Sequence, residues 1–256
     1  MKLVLAFLTY PRDYTNITYE LLSKTFNSLK NNGGLDLSTI KIIVIGDDYD
    51  NMTETLSPIF AGYDCDYYNI NINDAVRNKR LPREICWAQA CTRSIIFALE
   101  KSLEYNYDYL FLSSDDDLYG DKKIDISAEY IEKYNYPDFV FSLGRYVNGI
   151  ILPMGFNNVD LLNNFPQSGN VIQSGTLYKL KNVNFINKCV EIMKDCDNEL
   201  VNYIKNNSGN ILPNDAYLWD ALGPLFKNNA FSSLLIPLVL TFHDTEQTMI
   251  NYCDLK

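Results

Sequence analysis

Short, unbroken apolar runs alternate with stretches of helical periodicity along the first half of the chain. Lys2 to Thr9 reads as a buried strand, turned at its carboxyl end by Tyr10-Pro11-Arg12-Asp13. Leu21, Leu22, Phe26 and Leu29 recur at helical spacing until Asn32-Gly33-Gly34 stops the helix. Ile40 to Ile45, apolar but for Lys41, is a second strand, ending in Gly46-Asp47-Asp48. Strand, helix and strand in this order predict a right-handed βαβ unit. A third strand is expected within Tyr63 to Ile72, and a helix over about Arg83 to Glu104. That helix buries Ile85, Ala88, Cys91, Ile95 and Leu99 and leaves Gln89 and Arg93 off the stripe. Tyr109 to Leu112 is a fourth strand, apolar at every position, as suits a strand covered on both faces in a parallel α/β sheet.

The second half is less regular. Ser127 to Tyr134 reads as a short helix and Phe139 to Leu143 as a strand. Val147 to Pro166 is rich in Gly, Asn and Pro and suits a substrate-side loop. Val171 to Tyr178 reads as a strand in which Gly175 marks either a close backbone approach or a core bend. Phe185 to Lys205 has helical periodicity, and Asn214 or Asp215 caps a further helix that carries Trp219. Ile236 to Phe242 is expected as an edge strand, since Pro237 cannot donate to a ladder. The whole predicts an α/β fold in one large domain. Residues 1–120, which hold the parallel strands, and residues 121–256 form its two halves.

The fourth strand runs into Asp115-Asp116-Asp117. Three adjacent carboxylates repel one another and stay ionised together only in water or around a cation. Hard divalent ions prefer oxygen ligands, and Mg²⁺ commonly takes one or two carboxylates plus substrate phosphates. Asp115 and Asp117 thus form an Asp-x-Asp pair suited to a metal-bound diphosphate. A solvated acidic loop is the plain alternative, and the buried strand leading into it weighs against that. An EF-hand loop fails, because Tyr119 and Ile126 stand at its fifth and twelfth positions.

Composition narrows the partners. At 256 residues and 47% hydrophobic content the chain can bury a substantial core. A net charge of −10 argues against nucleic acid or an anionic membrane as the main partner, since both need a basic surface. Leu3 to Leu8 is too short for a signal-peptide core or a membrane span, so a soluble cytoplasmic protein is expected. The six cysteines show no Cys-x-x-Cys spacing, and His243 is the one histidine, so free thiols are expected rather than zinc or disulfides.

Within this acidic chain the basic run Arg77-x-Lys79-Arg80-x-x-Arg83 stands out. Beside a helix amino terminus it suits an anion, and it equally suits a solvated loop. Asp215 is a helix cap or a catalytic carboxylate, and Trp219 a core residue or a face for a sugar ring. The acids Asp47 and Asp48 stand where a ribose hydroxyl is often bound, but the first turn has no Gly-rich dinucleotide fingerprint.

In this order the motifs resemble the GT-A class of nucleotide-sugar-dependent glycosyltransferases of the Asp-x-Asp type. The matching stretches are Leu3 to Arg12, Ile42 to Asp48, Phe111 to Asp117, Gln173 to Tyr178, Asn214 to Asp220 and Thr241 to Asp244. The resemblance implies a GT-A-like, Rossmann-related mixed sheet flanked by helices, with residues 1–120 as the nucleotide-binding half and residues 121–256 as the half for donor sugar and acceptor. It implies that Thr9, Arg12 and Asp47 or Asp48 hold the nucleoside, with Arg83, Asp115 and Asp116 on the nucleotide. Asp117, with Asp115 and His243, would bind Mn²⁺ or Mg²⁺; Asp215 would be the general base; Ser174, Gly175 and Trp219 would lie beside donor sugar and acceptor. The implied donor is a nucleotide diphosphate sugar, UDP-linked, and the acceptor a hydroxyl on a glycan, protein or lipid-linked molecule. The Glu-Asp dipeptide and the Gln-x-x-Arg-Trp motif of processive synthases are missing, which favours transfer of a single sugar. A sugar-nucleotide pyrophosphorylase is the alternative enzyme, although Leu8-Thr-Tyr-Pro-Arg12 lacks its Gly-rich turn. A non-catalytic nucleotide- or sugar-binding module is the third reading.

Overall fold

The computed structural model describes residues 1–11, 17–32, 39–47, 49–70, 83–146, 149–153, 161–163, 174–206 and 214–243. At 31–32, 83–87, 203–206 and 214–216 the backbone alone is described. Among the described residues nine strands form one sheet: β1 (Leu3–Thr9), β2 (Ile40–Gly46), β3 (Cys65–Asn69), β4 (Tyr109–Ser114), β5 (Asp117–Tyr119), β6 (Phe139–Tyr146), β7 (Ile151–Leu152), β8 (Thr176–Lys179) and β9 (Ser233–His243). The order is β3-β2-β1-β4-β8-β6-β9-β5, with β7 on β6. The first four are parallel, β8 runs antiparallel to β4 and β6, and β9 is parallel to β6 and antiparallel to β5. The sheet is therefore mixed, with its parallel half built by the first part of the chain.

Helices cover both faces. They are α1 (Ile17–Asn32), the short α2 (Met52–Leu56), α3 (Arg83–Ser102), α4 (Lys123–Lys133), α5 (Val183–Asn206) and α6 (Asn214–Lys227). Because strand side chains alternate, the unbroken apolar run of β1 feeds two cores. Val4 and Ala6 pack with Ile95 and Leu99 of α3 and Met193 of α5, while Leu3, Leu5 and Phe7 pack with Leu22 and Phe26 of α1. Phe26 lies 4.8 Å from Phe60 and edge-on to Phe7 at 6.0 Å. Burying each such side chain contributes about 1.5–3 kcal/mol.

Three local expectations are corrected. β9 is not an edge strand, since it lies between β6 and β5. Its register jumps from Ser142↔Ile236 to Leu143↔Val239, so Pro237 falls in an irregularity that asks no ladder hydrogen bond of it. The helix expected from Ser127 begins at Lys123, after Lys122 takes a left-handed turn at φ 58°. Gln89 and Arg93, off the sheet-facing stripe, face α5 instead: Gln89 is buried, and both side chains reach Asp197 at 3.0–3.3 Å. A second layer of helix covers the side of α3 that the apolar stripe leaves out.

Candidate active site

β1 is the first strand of the sheet and has β2 on one side and β4 on the other. The chain leaves β1 through α1 on one face and enters β4 from α3 on the other, so the strand order reverses between β1 and β4. Open α/β sheets bind ligands in the crevice at such a reversal, outside the carboxyl ends of the strands. Thr9 ends β1, and Asp115 follows β4 directly. The Thr9 Oγ1 hydroxyl donates to Asp115 Oδ2 at 2.7 Å, and both residues are buried. The Asp47 backbone N–H, at the end of β2, donates to the Thr9 carbonyl at 3.1 Å.

Asp117 opens β5, and the antiparallel register with β9 sets it opposite His243. Its Oδ1 lies 2.5 Å from His243 Nδ1, and its Oδ2 accepts the Ser114 hydroxyl at 2.7 Å. Asp117 is buried, at 2% side-chain exposure, whereas the histidine is 28% exposed, so the pair opens to solvent on the imidazole side. Tyr146, opposite His243 on β6, sets its ring edge-to-face at 5.0 Å. The histidine is thus flanked by a carboxylate on one neighbouring strand and an aromatic ring on the other.

Beneath this pair is a layer of hydroxyls. The Tyr119 phenol bonds Ser113 at 2.8 Å and Ser174 at 2.5 Å, and Ser174 Oγ accepts the Ser114 backbone N–H at 3.1 Å. Burial, with Asp117 nearby, pushes the Tyr119 phenol well above its ordinary range, so it stays a neutral donor. Gly175 has φ +81°, and a Cβ there would lie 2.7 Å from Thr241 Oγ1 and 2.9 Å from the Tyr119 ring. Both readings of this glycine hold together: the chain bends, and Thr241 and Tyr119 make the close approach. Lys123 is fully buried and donates to Ser142 Oγ at 2.8 Å, and burial lowers its amine to about 7.

A metal fits this donor set in one way. Among the described residues no group of three or more His, Cys, Asp and Glu side chains is placed to hold a metal ion. Asp117 and His243 alone supply one carboxylate and one imidazole. That is too few for a structural cage, and it suits a divalent ion whose shell is completed by water and diphosphate oxygens.

The other expected site residues divide into four groups. Trp219 is corrected: its exposure is 0%, its ring packs 5.1 Å from Phe139, and no face is left for a sugar. Asp116 is half-buried beside the pair, and Ser174 is held within the hydroxyl layer. Arg83 and Asp215 lie at the amino termini of α3 and α6, where the backbone alone is described. Arg12, Asp48, Arg77, Lys79, Arg80, Asp244 and most of the loop from Val147 to Pro166 lie outside the described residues. Ser114, Tyr146 and Tyr49, whose hydroxyl lies 2.8 Å from Thr9 Oγ1, are contacts that the sequence reading missed. With 19 tyrosines in the chain, composition marks none of them.

No protein-family model and no curated protein matches the sequence. Solved structures do. The chain is similar to S. aureus TarS, a glycosyltransferase, at TM-score 0.55 and 11% identity over 95% of this chain and 37% of that one. It is also similar to TarS 1-349 in complex with UDP, at TM-score 0.54 and 10% identity over 95% and 60% of the two chains. With the UDP-GlcNAc complex the TM-score is 0.51 and the identity 11%, over 95% and 58%. This chain therefore spans less than two thirds of TarS. At such identity the likeness shows the fold alone, a GT-A-like mixed α/β sheet flanked by helices.

Proposed function

We propose that the chain is a metal-dependent glycosyltransferase of the Asp-x-Asp type, moving one sugar from a nucleotide diphosphate sugar, UDP-linked, to an acceptor hydroxyl. The observation that carries this reading is the pairing of Asp117 with His243 beside the Thr9–Asp115 contact, at the point where the strand order reverses. The TarS complexes with UDP and UDP-GlcNAc support the donor class.

In this reading the bond from the sugar's anomeric carbon to the diphosphate breaks and a bond from that carbon to the acceptor oxygen forms. Thr9, Asp47 and Asp115 bind the nucleoside, and Asp117 with His243 would hold Mn²⁺ or Mg²⁺. When bound, that ion stabilises the negative charge growing on the leaving diphosphate. His243 is oriented by Asp117 and by the Tyr146 ring, so its imidazole is set before any ligand arrives. Asp215 takes the acceptor's proton, a contribution of roughly 10²–10⁴-fold for a well-placed base.

The test is thermal stabilisation by nucleotides and nucleotide sugars, with Mn²⁺ and with chelator. A Mn²⁺-dependent shift with UDP and its sugars supports the reading. A shift only with nucleotide triphosphates and sugar phosphates turns it toward a pyrophosphorylase, and no shift with any ligand sinks it.

A further inference from the structure

Tyr49 follows β2 and is absorbed by none of the roles above. Its ring lies over Gly46, where a Cβ would come within 2.7 Å of it. Its backbone is held on both sides by one side chain: the Tyr49 N–H donates to Asn69 Oδ1 at 3.0 Å, and Asn69 Nδ2 donates to the Tyr49 carbonyl at 2.5 Å. The phenol reaches across to Thr9 Oγ1 at 2.8 Å. Thr9 has one hydroxyl proton and gives it to Asp115 Oδ2 at 2.7 Å. The Tyr49 phenol must then be the donor in its own bond to Thr9. The direction is fixed: Tyr49 to Thr9 to Asp115, across the adjacent ends of β2, β1 and β4.

A chain of hydrogen bonds that ends on a carboxylate is strengthened along its length, and it pins the acceptor's orientation. We propose that Tyr49 is a positioning residue of the nucleoside site, which through Thr9 fixes the Asp115 carboxylate in the orientation that receives a ribose hydroxyl. The inference rests on the glycosyltransferase reading for its ligand, and on the three side chains alone for its geometry. Tyr49 supplies what Thr9 by itself lacks, a rigid anchor. A threonine hydroxyl turns freely about one bond, whereas this phenol is held by its ring packing and by the Asn69 clamp.

The experiment measures affinity for UDP, 2′-deoxy-UDP and 3′-deoxy-UDP, with Mn²⁺, in the wild-type chain and in Tyr49→Phe, Thr9→Val and the double variant. Tyr49→Phe is expected to weaken UDP binding about tenfold, the scale of one charge-coupled hydrogen bond, without shifting the melting temperature of the unliganded protein. The preference for UDP over one of the deoxy analogues should shrink by the same factor, because the carboxylate that reads the ribose is no longer fixed. The double variant should lose no more than Thr9→Val alone, since both break one relay. Tyr49→Phe binding UDP like the wild type, all three nucleotides weakening in parallel, or additive losses would each overturn the proposal. A wild type that binds none of the three brings down the glycosyltransferase reading and this inference with it; UDP bound equally by wild type and Tyr49→Phe brings down the inference alone. Asn69→Ala, which releases the clamp on Tyr49 and leaves all three relay side chains in place, decides the matter should Tyr49→Phe fail to fold: the same narrowed preference for UDP is expected, and wild-type discrimination among the three nucleotides would overturn the proposal.

Discussion

Asp117 and His243 are 126 residues apart in the chain, and the Oδ1 of one lies 2.5 Å from the Nδ1 of the other. The three-residue strand β5 exists to make this meeting: it pairs with the end of β9 so that the two residues stand directly opposite each other. Neighbouring strands are under about 5 Å apart, so a register pair brings two side chains on the same face into contact.

Replacing Asp117 by Ala removes the partner of both His243 and Ser114. We expect Mn²⁺-dependent UDP binding to be lost while the fold persists. A ligand at roughly 100 times its dissociation constant stabilises by about 2.7 kcal/mol, so the wild type should show a clear melting shift and the variant none. An unchanged shift in Asp117→Ala would remove the metal assignment.

Asp215→Asn keeps the side chain's size and removes its basicity. Donor binding should be retained and transfer reduced by roughly 10²-fold or more. Turnover under saturating donor and acceptor decides it, and full transfer activity would rule out Asp215 as the base.

Gly175→Ala places a Cβ 2.7 Å from Thr241 Oγ1 in a backbone with φ +81°. The conformation and the contact together should cost about 1–3 kcal/mol. Urea unfolding measures this, and a loss within error of zero would show that the turn relaxes freely.

Trp219→Ala distinguishes a core residue from a sugar platform. With the ring fully buried against Phe139, we expect a loss of about 3–5 kcal/mol in stability. A variant with native stability and a raised acceptor KM would restore the platform role.

Lys123 gives the pH dependence. Burial lowers its amine from 10.5 to about 7 in the folded chain, and its bond to Ser142 is to a neutral hydroxyl. Between these two values the unfolded chain binds the extra proton, so this group makes stability rise with pH from about 7 toward 10. Below about 7 the buried amine is charged in both states and its desolvation is felt in full. Lys123→Met, close in shape, should therefore be more stable than the wild type at pH 6, with the gap narrowing as the pH rises to 9. Parallel stability curves would show that the amine is not desolvated.

The sequence by itself determined the parallel half of the sheet. In Leu3 to Leu8 and Tyr109 to Leu112 every position is apolar, and in Ile40 to Ile45 every position but Lys41, because both faces are covered, and that pattern is local. It also determined that Asp115 and Asp117 stand at a strand's carboxyl end, because the strand and the acids are contiguous. Tertiary structure decided the rest. The burial of Gln89 and the ion pair of Arg93 with Asp197 depended on a second helix layer, α5, that begins only at Val183. The inner place of β9 depended on β5, a strand of three residues too short to carry a period. Trp219 belongs to the core because of what packs on it, and its own neighbours in sequence leave that open. His243 and Tyr49 reach Asp117 and Thr9 through strand pairing across the sheet. Periodicity reports which face of an element is apolar; it holds no record of which distant strand will lie beside it, and the site is built from those pairings.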